Sequence, residues 1–137
     1  MRYLVIGICI LVLLLGLSLL VSWYSCSCID ETAAQLREIA AYFPAEDFDS
    51  ILPALTDAQD DWEARHGFFS SILSHTELEE VGYCFAGMIA YAEQGEMAEL
   101  RDAHARLLAM LDHLRVVDLP YYYNILTAIV NLPDRAG

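Results

Sequence analysis

Met97–Leu114 reads MAELRDAHARLLAMLDHL, with Met97, Leu100, His104, Leu107, Leu111 and Leu114 recurring in steps of three and four. That spacing lays one apolar stripe along an α-helix and leaves the charged residues on the other faces. The same pattern precedes it. Leu78, Val81, Phe85, Met88 and Ala92 form a second stripe, with Gly95 as the expected helix stop between the two. A third runs through Phe48, Leu52, Leu55, Gln59, Trp62, His66, Phe69 and Leu73, starting around Asp49–Ser50 with Pro53 in its first turn. Asp30 is the expected N-cap of a further helix carrying Ala33, Leu36, Ile39 or Ala40, and Phe43, which Pro44 ends. Pro120 opens a short last helix with Ile125 or Leu126 and Ile129 toward the core. No segment alternates as a strand does, and the connections are short. The expected fold class is therefore all-α: a small antiparallel bundle of four to five helices over residues 30–137.

The N-terminus is different. Leu4–Val21 has no charged residue across eighteen positions, about 27 Å of helix, which matches the hydrocarbon thickness of a bilayer. Tyr3 stands at one end and Trp23–Tyr24 at the other, where amphipathic rings favour the interface. Residues 1–24 read as a transmembrane anchor, with 3–24 in contact with lipid and 25–29 as a juxtamembrane linker. A cleaved signal peptide is the rival, but its apolar region is normally shorter and Trp23–Tyr24 is a poor approach to a peptidase. Arg2 precedes the run and the next arginine is Arg37, which places the N-terminus in the cytoplasm and residues 25–137 outside the cell membrane.

Beyond the anchor the chain is acidic. All twenty Asp and Glu lie between Asp30 and Asp134, against six arginines and no lysine, a net charge of about −14. Such a surface repels nucleic acid and anionic lipid headgroups, which makes both poor partners, and suits cations or a basic protein surface.

Trp62–Val81, WEARHGFFSSILSHTELEEV, is the richest candidate for chemistry. Glu63 and His66 match one half of a carboxylate-bridged di-iron site, since residues three apart share a helix side. The second half is missing, because Arg101 stands three before His104 and Met110 three before His113. Thr76 with Glu79 is the expected capping box of the following helix. A weak cation site made of Glu63, His66, His75 and Glu77 is the alternative to a plain turn. His104 reads as a core histidine. No nucleophile elbow, phosphate-cradling loop or His-Glu-x-x-His occurs, so neither an enzyme nor a cofactor is expected.

Cys26 and Cys28 lack Cys-x-x-Cys spacing; in an oxidising compartment one of them could bond Cys84 or a second chain. Tyr121, Tyr122 and Tyr123 cannot all face one core, which makes them candidates for an interface. The function expected is a membrane-held module that binds another protein or a second copy of itself; the alternative is a cation- or metal-binding domain.

An N-terminal membrane helix, Trp62-Glu63 late in a long helix, the turn His75-x-Glu77-Leu78, and Pro120 followed by Asn124-Ile125-Leu126 together resemble a bacterial family of small membrane-anchored proteins known only as a domain of unknown function. The resemblance implies an all-helical extracytoplasmic domain and no established activity. Members of that family are often encoded beside YetF-like multi-pass membrane proteins, which implies a partner in the same membrane.

Overall fold

The computed structural model describes residues 1–118. Five helices follow one another: α1 (Arg2–Ile39), α2 (Phe48–Ala64), α3 (His66–Phe69), α4 (His75–Gln94) and α5 (Met97–Asp118), with a 3₁₀ segment Ala40–Ala45 after α1. No strand occurs among the described residues. The last expected helix and the three consecutive tyrosines, Tyr121, Tyr122 and Tyr123, lie outside the described residues.

The largest departure from the expected layout is at residues 25–29. They form no linker, because α1 is one helix of 38 residues, about 57 Å long, and Asp30 caps nothing. Ser25, Cys28, Ile29, Thr32, Ala33, Leu36 and Ile39 are all buried. The stripe legible from Ala33 onward thus starts two turns earlier, hidden by its serine and cysteine members. Thr32 satisfies its hydroxyl on the Cys28 carbonyl at 3.1 Å, the local bond that lets a buried threonine sit within a helix. Below Ser25 the apolar surface of α1 faces away from the bundle, and this helix is long and apolar enough to cross a membrane.

From Ser25 upward, α1, α2, α4 and α5 close an up-down-up-down bundle in which each helix packs on its chain neighbours and α5 returns to α1. The antiparallel register is pinned by polar contacts. Arg65 meets Glu31 at 2.7 Å and Gln35 meets Asp61 at 2.6 Å between α1 and α2. Arg115 meets Asp30 at 3.2 Å and Arg101 donates to the Phe43 carbonyl at 3.1 Å between α5 and the α1 end. These two pairs show that α5 runs down from the far end of the bundle to the end at which α1 carries its apolar extension.

The α4 and α5 stripes are buried residue for residue as their spacing predicts. The α2 stripe is not. Asp47 caps α2 by accepting from the Ser50 amide at 3.2 Å, so the helix begins at Phe48 and Pro53 falls in its second turn, where it leaves the Asp49 carbonyl without its donor. Ile51, Leu55, Ala58 and Trp62 form the buried face, and the helix ends at Ala64. The chain reopens as the single turn α3, so His66 leaves the stripe and is exposed, while Phe69 folds back to stack on Trp62 at 4.5 Å between centroids.

Candidate interaction surface

The cap of α4 is Ser74 with Glu77, two residues ahead of the Thr76–Glu79 pair expected from sequence. The Ser74 hydroxyl receives the Glu77 amide at 3.3 Å, and Glu77 Oε2 accepts from the Ser74 amide at 2.9 Å and its hydroxyl at 2.6 Å. Both pairs have the right spacing, and the earlier one gains His75 and Thr76 for the first turn. Glu79 instead meets His75 at 3.1 Å, one turn apart on the exposed side of the helix. The hydrogen bonds from Ser74 hold the Glu77 carboxyl below its ordinary range. A depressed acid contributes stability that is fully present above its unfolded value, near ~4.3, and disappears as pH falls through the folded value. Ser74→Ala is expected to cost about 1 kcal/mol at neutral pH. Glu77→Gln should flatten the acid limb of a plot of thermal midpoint against pH.

The four residues of the weak cation set are therefore dispersed. Glu77 is spent on the cap, His75 is turned to Glu79, and only Glu63 and His66 share a place, an open groove of about 300 Å3 with Trp62, Leu78, Glu79 and Gly82. No group of three or more His, Cys, Asp or Glu among the described residues is arranged to hold a metal ion. Cys26, Cys28 and Cys84, the residues considered for a disulfide with one another or with a second chain, are free thiols in this structure. Burial, with Glu80 adding to it, pushes the Cys84 thiol up, away from the reactive thiolate. His104 is a satisfied core histidine. It is 6% exposed, its Nε2 lies 2.7 Å from the Leu36 carbonyl, and its ring stands edge-on to Phe43 at 5.0 Å.

The surface feature that sequence inspection passed over is on α4. Val81–Ala92 contains no charged residue, a run of twelve in an acidic domain. Its inward positions are the buried stripe, and its outward positions carry Tyr83, 73% exposed, with Ala86, Gly87 and Ala90. Glu79 and Glu80 lie at one end of this patch and Glu93 at the other. An uncharged centre with an aromatic ring and a charged rim is the usual anatomy of a protein interface. The two glycines sharpen the point. A Cβ at Gly82 would meet nothing within 4 Å, and one at Gly87 would meet only the Tyr91 ring at 4.0 Å. The fold has no internal use for either glycine, although each weakens the helix. Gly82→Ala and Gly87→Ala should each stabilise the isolated chain by about 0.5–1 kcal/mol, read from thermal or urea unfolding. The signal available in the sequence was the missing charge, not any motif.

A second feature lies between α1 and α2, where the small side chains of Ala54 and Ala58 leave a groove of about 210 Å3. Glu38 and Asp57 line it with Gln35 and the exposed Tyr42. Carboxylates and a ring face together fit an arginine or lysine side chain.

The fold defines a class: a four-helix bundle carried on one helix apolar enough to cross a membrane. No family model, no curated protein and no solved structure matches the chain. The family resemblance rests on its short motifs alone.

Proposed function

We propose that the chain is a single-pass membrane protein, N-terminus in the cytoplasm, whose extracytoplasmic bundle binds another protein of the same membrane through the outward face of α4. The observation that carries this reading is the charge-free patch around Tyr83, built with glycines the fold does not need. The partner consistent with it presents a helix, because Gly82, Ala86 and Ala90 lie four residues apart and permit close backbone approach, and it supplies basic side chains to an acidic rim. A multi-pass protein, as the family resemblance implies, offers such helices. The unbroken α1 supports the reading too, since it holds the bundle at a set height and orientation above the membrane. No catalytic role is proposed.

Crosslinking in native membranes, followed by purification of the tagged full-length chain and mass spectrometry, tests the proposal. A single membrane protein recovered in near-equal amount is the expected result. Tyr83→Glu and Gly87→Leu should each weaken that complex by about 2 kcal/mol, roughly thirtyfold in Kd, without loss of helix content. Glu38→Arg with Asp57→Arg should weaken it less and mainly at low salt. Recovery undiminished by the α4 variants would reject this surface, and a chain recovered alone would reject the function.

A further inference from the structure

We infer that the end of the bundle formed by α3 and the turn 70–74 rests on the bilayer surface, so that the domain has two membrane contacts, the α1 span and this underside. The inference rests on the reading of α1 as a membrane span. Its geometric basis is one contact: the Tyr24 ring meets Phe68 edge-on at 4.8 Å. Trp23, 69% exposed, and Tyr24 follow directly on the apolar run, at the depth where such rings settle between acyl chains and headgroups. A residue one ring away from Tyr24 is at that same depth. Because α1 has no linker, the bundle cannot lift off or swing to relieve the contact.

The composition of the segment fits its position. Residues 64–76 contain no carboxylate, whereas Glu63 stands immediately before them and Glu77 immediately after. They carry Arg65, His66 and His75, with the half-buried Phe68, Ile72 and Leu73 and the serines 70, 71 and 74. At the opposite end of the bundle, Glu46, Asp47, Asp49, Glu93, Glu96 and Glu99 crowd around the two distal connections. An acidic domain held against phosphates would be repelled if its underside carried the same charge density. Partly exposed aromatic and aliphatic groups with small polar neighbours are what the interface accepts.

The underside is also stiff. Phe68 packs against Phe69 at 5.6 Å, Phe69 stacks on Trp62, and the Ser70 and Ser71 hydroxyls both return to the Gly67 carbonyl, at 3.0 and 3.3 Å. A four-residue helix that would otherwise be a frayed connection is thereby tied to the core. The segment between α2 and α4 is thus built as a foot.

The test uses the unmodified full-length chain in vesicles of phosphatidylcholine and phosphatidylglycerol containing a lipid with a diazirine beside its headgroup. After photolysis, adducts are mapped by peptide mass spectrometry. The expected result is adducts on Trp23–Tyr24 and on residues 66–73 at similar frequency, several-fold above those on residues 93–99. Adducts on α1 but none on residues 66–73 above that distal background would overturn the inference and leave the membrane span standing. No adducts on α1 would sink the span itself, and the foot with it.

Discussion

Ser27→Pro should lower the stability of the bundle by about 3 kcal/mol or more, although Ser27 is exposed and touches none of the core. The substitution removes the amide that bonds the Trp23 carbonyl and sets the proline ring against it, within α1 where the apolar segment and the bundle are one helix. The direct cost is therefore in the backbone. A kink here would also tilt the Tyr24 ring from Phe68 and misalign Ser25, Cys28 and Ile29 with their neighbours. Thermal unfolding in detergent should show a midpoint lower by roughly 10 °C or more. Ser27→Ala should leave it unchanged or slightly raised. A proline variant as stable as the parent would mean that residues 25–29 do act as a flexible linker.

Trp62→Ala should cost about 3–5 kcal/mol, a large part of the total stability of a domain this size. Trp62 is fully buried at the lower end of α2 and stacks on Phe69, which in turn holds Phe68 and the whole of α3. Its loss opens a cavity that α3 can collapse into only by giving up the Tyr24 contact. Urea unfolding should show a lower midpoint with little change in slope, and proteolysis should begin within residues 65–74. Trp62→Phe, which keeps a ring against Phe69, should show a smaller loss. A Trp62→Ala chain that is cut first elsewhere would argue that α3 is held by something other than this stack.

Both predictions concern places where periodicity was a poor guide. In α4 and α5 the stripe positions recur in regular steps of three and four, and α4 ends at a recognisable stop. Gly95 sits at φ 73°, a conformation that glycine reaches at little cost. The buried faces of those two helices were legible to the residue. In α2 the spacing ran on past Ala64 through His66, Phe69 and Leu73, because a single turn of helix after a break can resume nearly in phase. Spacing cannot tell a continuous helix from one that stops and restarts, so the period carries His66 onto a stripe that it leaves in the fold. In α1 the error had the opposite sign. Ser25, Cys26, Ser27 and Cys28 have the composition of a linker, yet Ser25 is 1% exposed and belongs to a packed face. Burial of a small polar residue depends on what lies opposite it, and composition carries no record of that.

Capping shows the same limit on a smaller scale. Ser74–Glu77 and Thr76–Glu79 are equally good pairs by type and spacing, and the fold uses the earlier one. The cation set failed for this reason, since Glu77 was committed to the cap. The α4 patch was missed because a run without charge has no motif to announce it.

Local chemistry along the chain was enough to specify an all-helical protein with an apolar N-terminal helix and an acidic remainder. Hydrophobic period, capping residues and the length of an uncharged run are properties of short segments and survive without knowledge of the fold. The continuity of α1, the break before α3, the buried Leu36–His104 bond and the exposed, glycine-bearing face of α4 are relations between segments far apart in the chain. They arise only when four helices compete to bury their stripes in one core, and the packing that satisfies all four sets which local alternatives survive.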